Sequence, residues 1–595
     1  MNINQILKQT VQDAFLSVYQ AKIETAMVQV EETDPGFEGD LTIVLFNLLK
    51  FSRKKPEQTA GEVAAYLTQN LDFIERFNIV KGFLNLVIKD SFWLNHLKEI
   101  QKEQHIPIEK TSLPQKYLIE YSSPNTNKPL HLGHIRNNLL GQSLSEFLKL
   151  RGHQVVKVNL VNDRGIHICK SMLAWMKDET HPTPESLRIK GDHLVGNYYV
   201  KFDKMLKAEI EQAISLGISR EDAENLSSVM KEARQLLIRW EKNDPEVRKI
   251  WEMMNDWVYA GFDETYRRLG ISFDKIYYES DTYLLGKAIV DEGLEKGIFY
   301  RKDDNSVWVD LSADGFDEKL LLRADGTSVY ITQDLGTAEL RYHDFQPDVM
   351  VYVVGNEQEY HFNVLKTVMK KLGRPYAESI FHLSYGMVDL PEGKMKSREG
   401  TVVDADDLMD KMQETALQYM AESGKSAEID QEEQKILSEM VGMGALKFFI
   451  LKTDSKKRIL FDPKESIDFQ GFTGPFIQYT HARIQSVFRK GSIQKPFDFQ
   501  YNLNVRISDE EKEILKKIYF LGQSLAVAEQ RLDTSVIALY IYQLAKLYNK
   551  FYHDYPILNE TDEDKKAFRI VMSWAVSLVL RKLSGILGIE MPEKM

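Results

Sequence analysis

The segment that most constrains the fold is a strand, a loop and a helix that follow one another between residues 117 and 150. The apolar run at 117–121 predicts the strand, and apolar residues at a helical period predict the helix. Those helical residues are Leu139, Leu140, Leu144, Phe147, Leu148 and Leu150. His131, Gly133 and His134 stand where the helix begins. This order predicts the nucleotide-binding half of an α/β sheet.

The two histidines and a later basic segment together indicate chemistry at a phosphate. His131 and His134 are three residues apart, which places both rings on one side of the first helical turn, where the helix dipole favours anions. Gly133 between them is expected to let a nucleotide approach the backbone closely. Residues 394–398 read Lys-Met-Lys-Ser-Arg. Attack on the α-phosphate of ATP spreads negative charge, and both segments supply groups that stabilise it.

Each segment alone has a simpler interpretation. Two histidines at this spacing could bind a metal or merely cap a helix, although no further ligands stand at a usable spacing. The basic segment could be a solvated loop. Their combination favours the ATP interpretation.

Longer runs around these segments resemble class I aminoacyl-tRNA synthetases, specifically the arginyl-tRNA synthetase family. The resemblance extends over essentially the whole chain, and the runs that carry it are 119–125, 128–137, 330–336, 394–398, 474–483, 587–589 and 592–595. The resemblance implies an α/β fold: a Rossmann-like parallel-sheet catalytic domain with a helical insertion, an α+β N-terminal domain and an α-helical C-terminal anticodon-binding domain.

The expected boundaries follow the changes in sequence pattern. Residues 1–113 form the N-terminal additional domain, which in the family recognises the tRNA elbow. Residues 114–454 form the catalytic domain, with a polar helical hairpin inserted at about 188–268. Residues 455–595 form the anticodon-binding domain, with helices at 508–532 and 565–587. Further catalytic strands are predicted at 155–161, 349–354 and 379–388, with a helix at 358–371.

The ATP site departs from the family in one respect. The usual loop is Lys-Met-Ser-Lys-Ser, whereas here Lys396 and Ser397 fill its third and fourth positions. In relatives that lack the second lysine, a lysine just before the histidine motif is thought to replace it, and Lys128 matches that position. Lys128, His131, His134 and Lys394 are therefore assigned to catalysis. The residues assigned to ATP binding are His131, Gly133, His134, Met387, Lys394 and Lys396, although Lys396 could equally point to water.

The arginine pocket is predicted from what a guanidinium requires. A planar cation with five donors calls for carboxylates and an aromatic face. The resemblance places Asp334 and Tyr330 at the guanidinium, with Glu120, Asn125 and Gln358 at the other polar groups. Without it, Asp334 would be a helix-dipole acid and Tyr330 a core aromatic. Since such a pocket rejects smaller amino acids by leaving its own groups unpaired, no editing domain is expected.

The resemblance also implies that tRNA contacts the C-terminal helices. The assigned residues are Phe476, Tyr479, Arg483, Tyr552 and Met595. Core packing is the default interpretation of aromatics on helices, whereas exposed ones could stack on unpaired bases. A net charge of −12 would argue against a nucleic-acid partner, but local basic surfaces can coexist with an acidic protein.

The expected activity is arginine-tRNA ligation in two steps. ATP, accompanied by Mg²⁺, activates arginine to arginyl-adenylate and pyrophosphate, and the terminal ribose of tRNA then takes the arginine. Cys169 is the only cysteine, so no cysteine-rich zinc site is expected. A cytoplasmic monomer that does not enter membranes is expected. Two alternatives remain: a non-catalytic tRNA-binding paralogue, and another nucleotidyltransferase with the same histidine motif.

Overall fold

The computed structural model describes residues 2–34, 36–391, 403–422 and 430–595. The chain divides into two compact units. One comprises Met1–Pro107, Val487–Leu521 and Lys546–Val579, and the other comprises Ile108–Ser486, Gly522–Ala545 and Leu580–Met595. Among the described residues, no helix is both long and apolar enough to cross a membrane.

The strands of the described residues form four sheets. In chain order they are β1 (Gln29–Glu32), β2 (Leu41–Val44), β3 (Ile74–Val80), β4 (Phe83–Ile88), β5 (Lys116–Glu120), β6 (Gln154–Val161), β7 (Lys275–Tyr278), β8 (Phe299–Arg301), β9 (Val307–Val309), β10 (Lys319–Leu322), β11 (Val349–Gly355), β12 (Ile380–Tyr385), β13 (Val388–Asp389) and β14 (Ile459–Leu460).

The α-helices occupy most of the remaining described chain. In chain order they are α1 (Ile3–Tyr19), α2 (Leu49–Ser52), α3 (Pro56–Asn70), α4 (Asp90–Glu103), α5 (Leu132–Leu150), α6 (Ile166–Met176), α7 (Pro184–Leu187), α8 (Gly191–Ser215), α9 (Arg220–Leu226), α10 (Ser228–Glu241), α11 (Pro245–Leu269), α12 (Glu279–Thr282), α13 (Leu285–Glu295), α14 (Tyr330–Phe345), α15 (Glu359–Lys371), α16 (Ala405–Glu422), α17 (Gln431–Leu451), α18 (Pro463–Ser466), α19 (Gly474–Lys490), α20 (Asp509–Tyr519), α21 (Leu521–Arg531), α22 (Ser535–Asp554) and α23 (Glu563–Ile586).

The first unit contains an antiparallel sheet of order β1-β2-β4-β3. Its central strand β4 is buried over most of its length, and α1 and α3 bury one apolar stripe each. The N-terminus of α1 is tied to α20, since the backbone N–H of Ile3 donates to the Tyr519 hydroxyl at 2.9 Å. The predicted α+β character of the N-terminal region is confirmed.

The second unit is built on a parallel sheet of order β12-β11-β5-β6-β7. The predicted strands at 117–121, 155–161 and 349–354 are its three central members β5, β6 and β11. Helices cover the sheet, and the core between them consists of aliphatic and aromatic side chains. The predicted Rossmann-like architecture is confirmed, and its C-terminal strand edge is where ligands bind in such sheets.

One strand prediction is wrong in its extent. Residues 379–388 do not form one strand, because β12 ends at Tyr385 and β13 pairs with β14 in a separate ladder. Gly386 stands at the break, where a Cβ would lie 2.8 Å from the backbone N of Arg458. The chain can therefore leave the main sheet only with glycine at this position.

Two further regions are more elaborate than predicted. The insertion at 188–268 contains four helices, α8 to α11, rather than a hairpin. The helix expected at 508–532 is broken at Phe520 into α20 and α21. A small antiparallel sheet of order β10-β9-β8 was not predicted at all, since its strands have only three or four residues each.

Candidate active site

A cavity of about 1020 Å³ opens at the C-terminal edge of the parallel sheet. It collects residues that sequence analysis assigned separately to ATP and to arginine. Those residues are Glu120, Asn125, His131, Gly133, His134, Tyr330, Asp334, Gln358 and Met387. Lys394 and Lys396 lie outside the described residues. The cavity unites the two predicted ligand sets.

The helix that carries the histidines begins with an unusual cap. His131 is the N-cap of α5, and its Nδ1 accepts the backbone N–H of Gly133 at 3.1 Å. His134 completes the box, because its Nδ1 accepts the backbone N–H of His131 at 3.1 Å. The ring centroids are 3.9 Å apart. The two imidazoles thus accept the backbone N–H groups that a serine and a glutamate accept in common capping boxes.

This cap fixes the protonation of both rings. With Nδ1 accepting a backbone N–H, a neutral imidazole carries its proton on Nε2. Burial, with the charge of Lys128, lowers the pKa of His131 to about 4. Burial lowers the pKa of His134 well below its ordinary value, and His131 and Lys128 add to the effect. At neutral pH the two rings are therefore uncharged and can donate from Nε2.

Gly133 has a role that the sequence did not reveal. A Cβ at this position would lie 3.0 Å from Cε1 of the His131 ring. The absent side chain therefore lets His131 fold back over its own helix. The predicted close approach of a nucleotide to this backbone stays a prediction.

The segment after residues 394–398 is paired to the histidine motif. The backbone N–H of Leu132 donates to the Val403 carbonyl at 3.0 Å, and that of Ala405 donates to Leu130 at 2.9 Å. Met387 and Val403 both line the cavity. The described residues on either side of the predicted lysine loop therefore reach the same cavity as the histidines.

Arg136 links the histidine helix to the neighbouring backbone segments, and sequence analysis did not assign it a role. Its side chain is fully buried in α5, and burial lowers its pKa to about 10. The guanidinium donates to the carbonyls of Ser455 and Lys457 at 2.8 Å each, and to those of Met387 and Asp454 at 3.4 Å. One side chain thus ties the histidine helix to two distant backbone segments.

The predicted guanidinium pair lies on one helical face. Tyr330 and Asp334 are four residues apart at the start of α14, and Tyr330 is 78% exposed. The core alternative for Tyr330 is thereby excluded. Oδ2 of Asp334 lies 2.6 Å from Nε2 of His361 in α15. His361 also lines the cavity and was missed.

Glu120 lines the cavity but already has protein partners. Its carboxylate forms an ion pair with the buried Arg341 of α14, and Oε1 accepts the Ser123 hydroxyl at 2.9 Å. Ser122 and Ser123 both adopt positive φ, at 78° and 46°, in the turn after β5. Such backbone is costly for residues other than glycine and is found preferentially at functional sites. Arg341 was also missed.

Glu279 is another carboxylate in the cavity that sequence analysis did not assign. It begins α12 directly after β7, at the same strand edge. Burial raises its pKa to about 7, and the charges of Asp163 and Asp334 add to the effect against the opposing charge of Arg164. A carboxyl group that titrates near neutrality beside Asp334 is a strong candidate for binding a cation.

Asn125 and Gln358 reach the cavity from two strand ends. Asn125 forms an isolated parallel bridge with Asn162, which follows β6, and Gln358 precedes α15. Oδ1 of Asn162 is buried and accepts no hydrogen bond among the described residues. Since Asn162 lines the cavity, this oxygen is available to a ligand donor.

One group of side chains in the described chain has the spacing of a metal site. Asp192, His193 and Asp406 place ligand atoms within 4.8 Å of one another. Lys190 lies among them, with Nζ 3.4 Å from Oδ2 of Asp192 and 2.5 Å from Oδ2 of Asp406. The lysine ammonium therefore supplies the positive charge that a metal would bring.

The residues assigned to tRNA lie in both compact units. Phe476, Tyr479 and Arg483 are partly exposed on α19, and the Arg483 guanidinium is 4.8 Å from the centre of the Tyr479 ring. Tyr552 lies in the part of α22 that belongs to the first unit and is also partly exposed, as is the terminal Met595. These exposures are compatible with a surface role, and the tRNA contacts stay predictions.

Three family models match consecutive segments of the chain. A family model for the catalytic domain of "tRNA synthetases class I (R)" matches residues 96–462. The "Arginyl tRNA synthetase N terminal domain" matches residues 1–88, and the "DALR anticodon binding domain" matches residues 477–595.

Individual relatives match over the same extent. Arginine-tRNA ligase of Bacteroides thetaiotaomicron is 54% identical over 597 residues, and that of Porphyromonas gingivalis W83 is 51% identical over 601, each with 100% of both chains covered. The arginyl-tRNA synthetase structure of Thermus thermophilus has a TM-score of 0.78 at 22% identity, with 100% of both chains covered. The structural match supports the fold.

Proposed function

Because the chain belongs to the arginyl-tRNA synthetase family and is therefore an arginine-tRNA ligase, we propose that the described cavity carries both steps of that reaction. The observation that carries this proposal is the shared cavity. Neutral imidazoles of His131 and His134 and carboxylates of Asp334 and Glu279 line one space of about 1020 Å³. One set suits phosphate oxygens and the other suits a guanidinium.

In the first step, a carboxylate oxygen of arginine bonds to the α-phosphorus of ATP. The bond from that phosphorus to the bridging oxygen breaks, and pyrophosphate leaves with the electron pair. His131 and His134 donate from Nε2 to oxygens whose charge increases in the transition state. Lys128 adds a cation beside both rings, since its charge lowers their pKa values. No covalent enzyme intermediate is required.

ATP enters as its Mg²⁺ complex in this proposal, with the metal held by phosphates as hard cations usually are. Lys394 and Lys396 are proposed to contact the same phosphates, and Gly133 and Met387 to contact the nucleotide. No zinc is assigned to the chain. The support is the resemblance of residues 394–398 to the family's signature loop, whose described flanks reach the cavity.

Arginine is proposed to bind with its guanidinium between acidic and aromatic groups. Asp334 and Glu279 supply the negative charge, and the exposed ring of Tyr330 supplies a face for the planar cation. Asn125 and Gln358 hold the α-amino end. The Glu120 carboxylate is already paired with Arg341 and accepts the Ser123 hydroxyl. It is proposed to contact the substrate through a lone pair that these partners leave unused, or to position the turn at Ser123.

In the second step, the terminal ribose hydroxyl of tRNA attacks the carbonyl carbon of arginyl-adenylate. AMP leaves, and the hydroxyl proton is released. Class I membership favours the 2′-hydroxyl. Phe476, Tyr479 and Arg483 are proposed to meet unpaired anticodon bases, because stacking on exposed aromatics is the usual recognition of such bases. Tyr552 and Met595 are proposed as further tRNA contacts.

The domain boundaries remain part of the proposal. We assign residues 1–113 to tRNA elbow recognition, 114–454 to catalysis with the insertion at about 188–268, and 455–595 to anticodon binding. Family models ending at residue 88 and beginning at residue 477 support a three-part order. The enzyme is proposed to act as a cytoplasmic monomer.

Exchange of labelled pyrophosphate into ATP tests the activation step. Exchange should depend on arginine when each standard amino acid is supplied separately, with and without tRNA. Charging of a tRNA mixture with radiolabelled arginine tests the transfer. Equal exchange with arginine and lysine would contradict the assigned pocket, since lysine keeps the charge but lacks the planar donors.

A further inference from the structure

A largely buried arginine of the chain lies beside the pocket that is proposed to bind the substrate arginine. Arg164 follows β6, and its side chain is only 11% exposed. Its guanidinium carbon lies 4.0 Å from the centre of the Tyr283 ring and 5.4 Å from that of Trp240, and the group forms an ion pair of 2.9 Å with Glu241. Two aromatic rings and one carboxylate therefore fix this cation in place.

Hydrogen bonds hold Arg164 close to Glu279. The Asp163 carboxylate accepts the backbone N–H of Ser280 at 2.9 Å and the Ser280 hydroxyl at 2.7 Å. Arg164 and Glu279 are the chain neighbours of this bonded pair. Tyr283, whose ring faces Arg164, lies one turn beyond Glu279, since its N–H donates to the Glu279 carbonyl at 3.0 Å. The guanidinium therefore lies against the side of α12 that carries Glu279.

Arg164 favours the ionised form of Glu279 against the other groups that face it. Burial is the main reason that the pKa of Glu279 is raised to about 7, and the positive charge of Arg164 opposes this effect. The charges of Asp163 and Asp334 act with burial, whereas a hydrogen bond with Gln333 helps the ionised form. Without Arg164, a carboxyl group flanked by two acids would be mostly protonated at neutral pH.

Protonation of Glu279 would change what the pocket can bind. An ionised carboxylate only accepts hydrogen bonds, which suits the donors of a guanidinium, whereas a carboxylic acid also donates one. Citrulline has the length of arginine but carries a neutral ureido group, whose oxygen accepts such a bond. A pocket with a neutral Glu279 would therefore distinguish poorly between the cation and its neutral isostere.

The pocket compensates for the repulsion between Arg164 and a second guanidinium. Glu241 offsets the charge from α10 at 2.9 Å, and the cavity presents both Asp334 and Glu279 to the substrate. Nε of Arg164 is buried and forms no hydrogen bond within the described chain. A donor of this guanidinium thus remains for the Glu279 carboxylate.

We propose that Arg164 is a positioning residue that shares Glu279 with the substrate and thereby makes the pocket select a charged guanidinium over a neutral ureido group. Arg164 acts through Glu279 and not by contact with the substrate. This inference rests on the proposed function of the cavity. It gives a resident cation a part in the recognition of a cationic substrate.

The pH dependence of arginine binding tests the proposal. The KM for arginine in tRNA charging is measured between about pH 6 and about pH 9, at saturating ATP and tRNA, for the unaltered enzyme and Arg164→Met. Loss of a nearby opposite charge raises the pKa of a carboxyl by about one unit or more, so the midpoint of the KM profile should move up by that amount. The KM should be about fivefold higher at about pH 7, and the two enzymes should agree by about pH 9.

Competition by citrulline tests the selectivity. The ratio of the inhibition constant of citrulline to the KM for arginine should fall about fivefold or more in Arg164→Met at about pH 7. Arg164→Lys keeps the charge and should recover most of the midpoint and the selectivity. Unfolding midpoints show whether each variant is folded. If Arg164→Met is not, Arg164→Gln takes its place, because its amide removes the charge but still donates to Glu241.

Arg248→Met is the matched control. Arg248 lies on α11 with its guanidinium carbon 3.6 Å from the centre of the same Trp240 ring, and it donates to Asn243 at 2.9 Å. This substitution removes a cation from that ring but leaves the one beside Glu279. The pH midpoint and the selectivity should therefore stay as in the unaltered enzyme.

Any of three results would overturn the inference: an unmoved midpoint or unchanged selectivity in Arg164→Met, a KM for arginine raised by the same factor at every pH, or an equal shift in Arg248→Met. The second result is what a purely structural role would give. The proposed function has its own check in the same assay. If the unaltered enzyme does not charge tRNA with arginine, the proposed function fails; if it charges normally and Arg164→Met keeps its midpoint, only the role of Arg164 fails.

Discussion

The carboxylate of Asp334 meets the imidazole of His361 with 2.6 Å between Oδ2 and Nε2. Asp334, the residue predicted to bind the guanidinium, is therefore held in position by His361 of α15. Its other oxygen, Oδ1, is left for the substrate. This geometry makes His361 a positioning residue for the proposed arginine pocket.

Replacing His361 by alanine should weaken arginine binding. A hydrogen bond to a charged group contributes about 1.5–3 kcal/mol, so the KM for arginine should rise roughly tenfold to hundredfold. The KM for ATP should change little. His343→Ala is the matched control, because His343 lies on α14 with Asp334 but is 89% exposed. Equal effects of the two variants on the KM for arginine would refute the role of His361.

Glu279 should make arginine binding depend on pH. Burial raises the pKa of this carboxyl to about 7, and only its ionised form attracts a guanidinium. The KM for arginine should therefore rise as the pH falls through about 7, and binding should release a proton below that pH. Glu279→Gln should show a higher KM that varies less across the same range. A variant that keeps the full pH dependence would exclude Glu279 as its origin.

His131→Asn separates the observed capping role of His131 from its proposed catalytic role. Asparagine is a good N-cap and can still accept the Gly133 N–H, but it lacks the Nε2 donor. Pyrophosphate exchange should fall about 10²–10³-fold, the effect of losing one transition-state donor, with an unchanged unfolding midpoint. His131→Ala should lose the same activity and about 1 kcal/mol of stability. Full activity of His131→Asn would remove the ring from the mechanism.

The neutrality of His131 has its own consequence. Its pKa is lowered to about 4, so the ring is uncharged above that value and no loss of kcat from this residue is expected between about pH 5 and about pH 8. The pH profile of pyrophosphate exchange at saturating arginine measures this. A limb near pH 6.5 that disappears in His131→Asn would show that the ring works as a cation.

Arg136→Met should destabilise the enzyme strongly. The variant leaves the carbonyls of Ser455 and Lys457 without their buried donor, and each such group costs about 1–3 kcal/mol. The free energy of unfolding in urea should fall by roughly 2–4 kcal/mol. Arg136→Lys restores the charge but not the planar donors, and should recover only part of the loss. A loss under about 1 kcal/mol for Arg136→Met would mean that solvent replaces the donor.

The sequence predicted the elements whose signals are local. The apolar pattern of the sequence predicts the strand at 117–121 and the helix after His134, and the two histidines lie where that helix begins. Of the carboxylates at the strand edge, Asp334 was assigned from the family resemblance. Glu279 carries no such local signal, because its pKa is raised by burial in the folded protein, with a smaller effect from the charges of Asp163 and Asp334.

The missed residues act across large separations in the chain. Arg136 meets carbonyls at 454–457, Arg341 pairs with Glu120, and His361 meets Asp334. A periodic pattern assigns each of them only to a helix. The sequence also could not predict which ring nitrogen of His131 and His134 carries the proton. That depends on the backbone N–H groups that the two Nδ1 atoms accept.

The contacts of Arg136 have a consequence for biosynthesis. Ribosomes synthesise the helix that bears His131 and His134 long before the carbonyls of Ser455 and Lys457 exist. Until residues 454–457 have been synthesised, the Arg136 guanidinium lacks most of its acceptors. Burial of this charged group without them is strongly disfavoured. The cavity beside this helix is therefore expected to mature only after about three quarters of the chain has been translated.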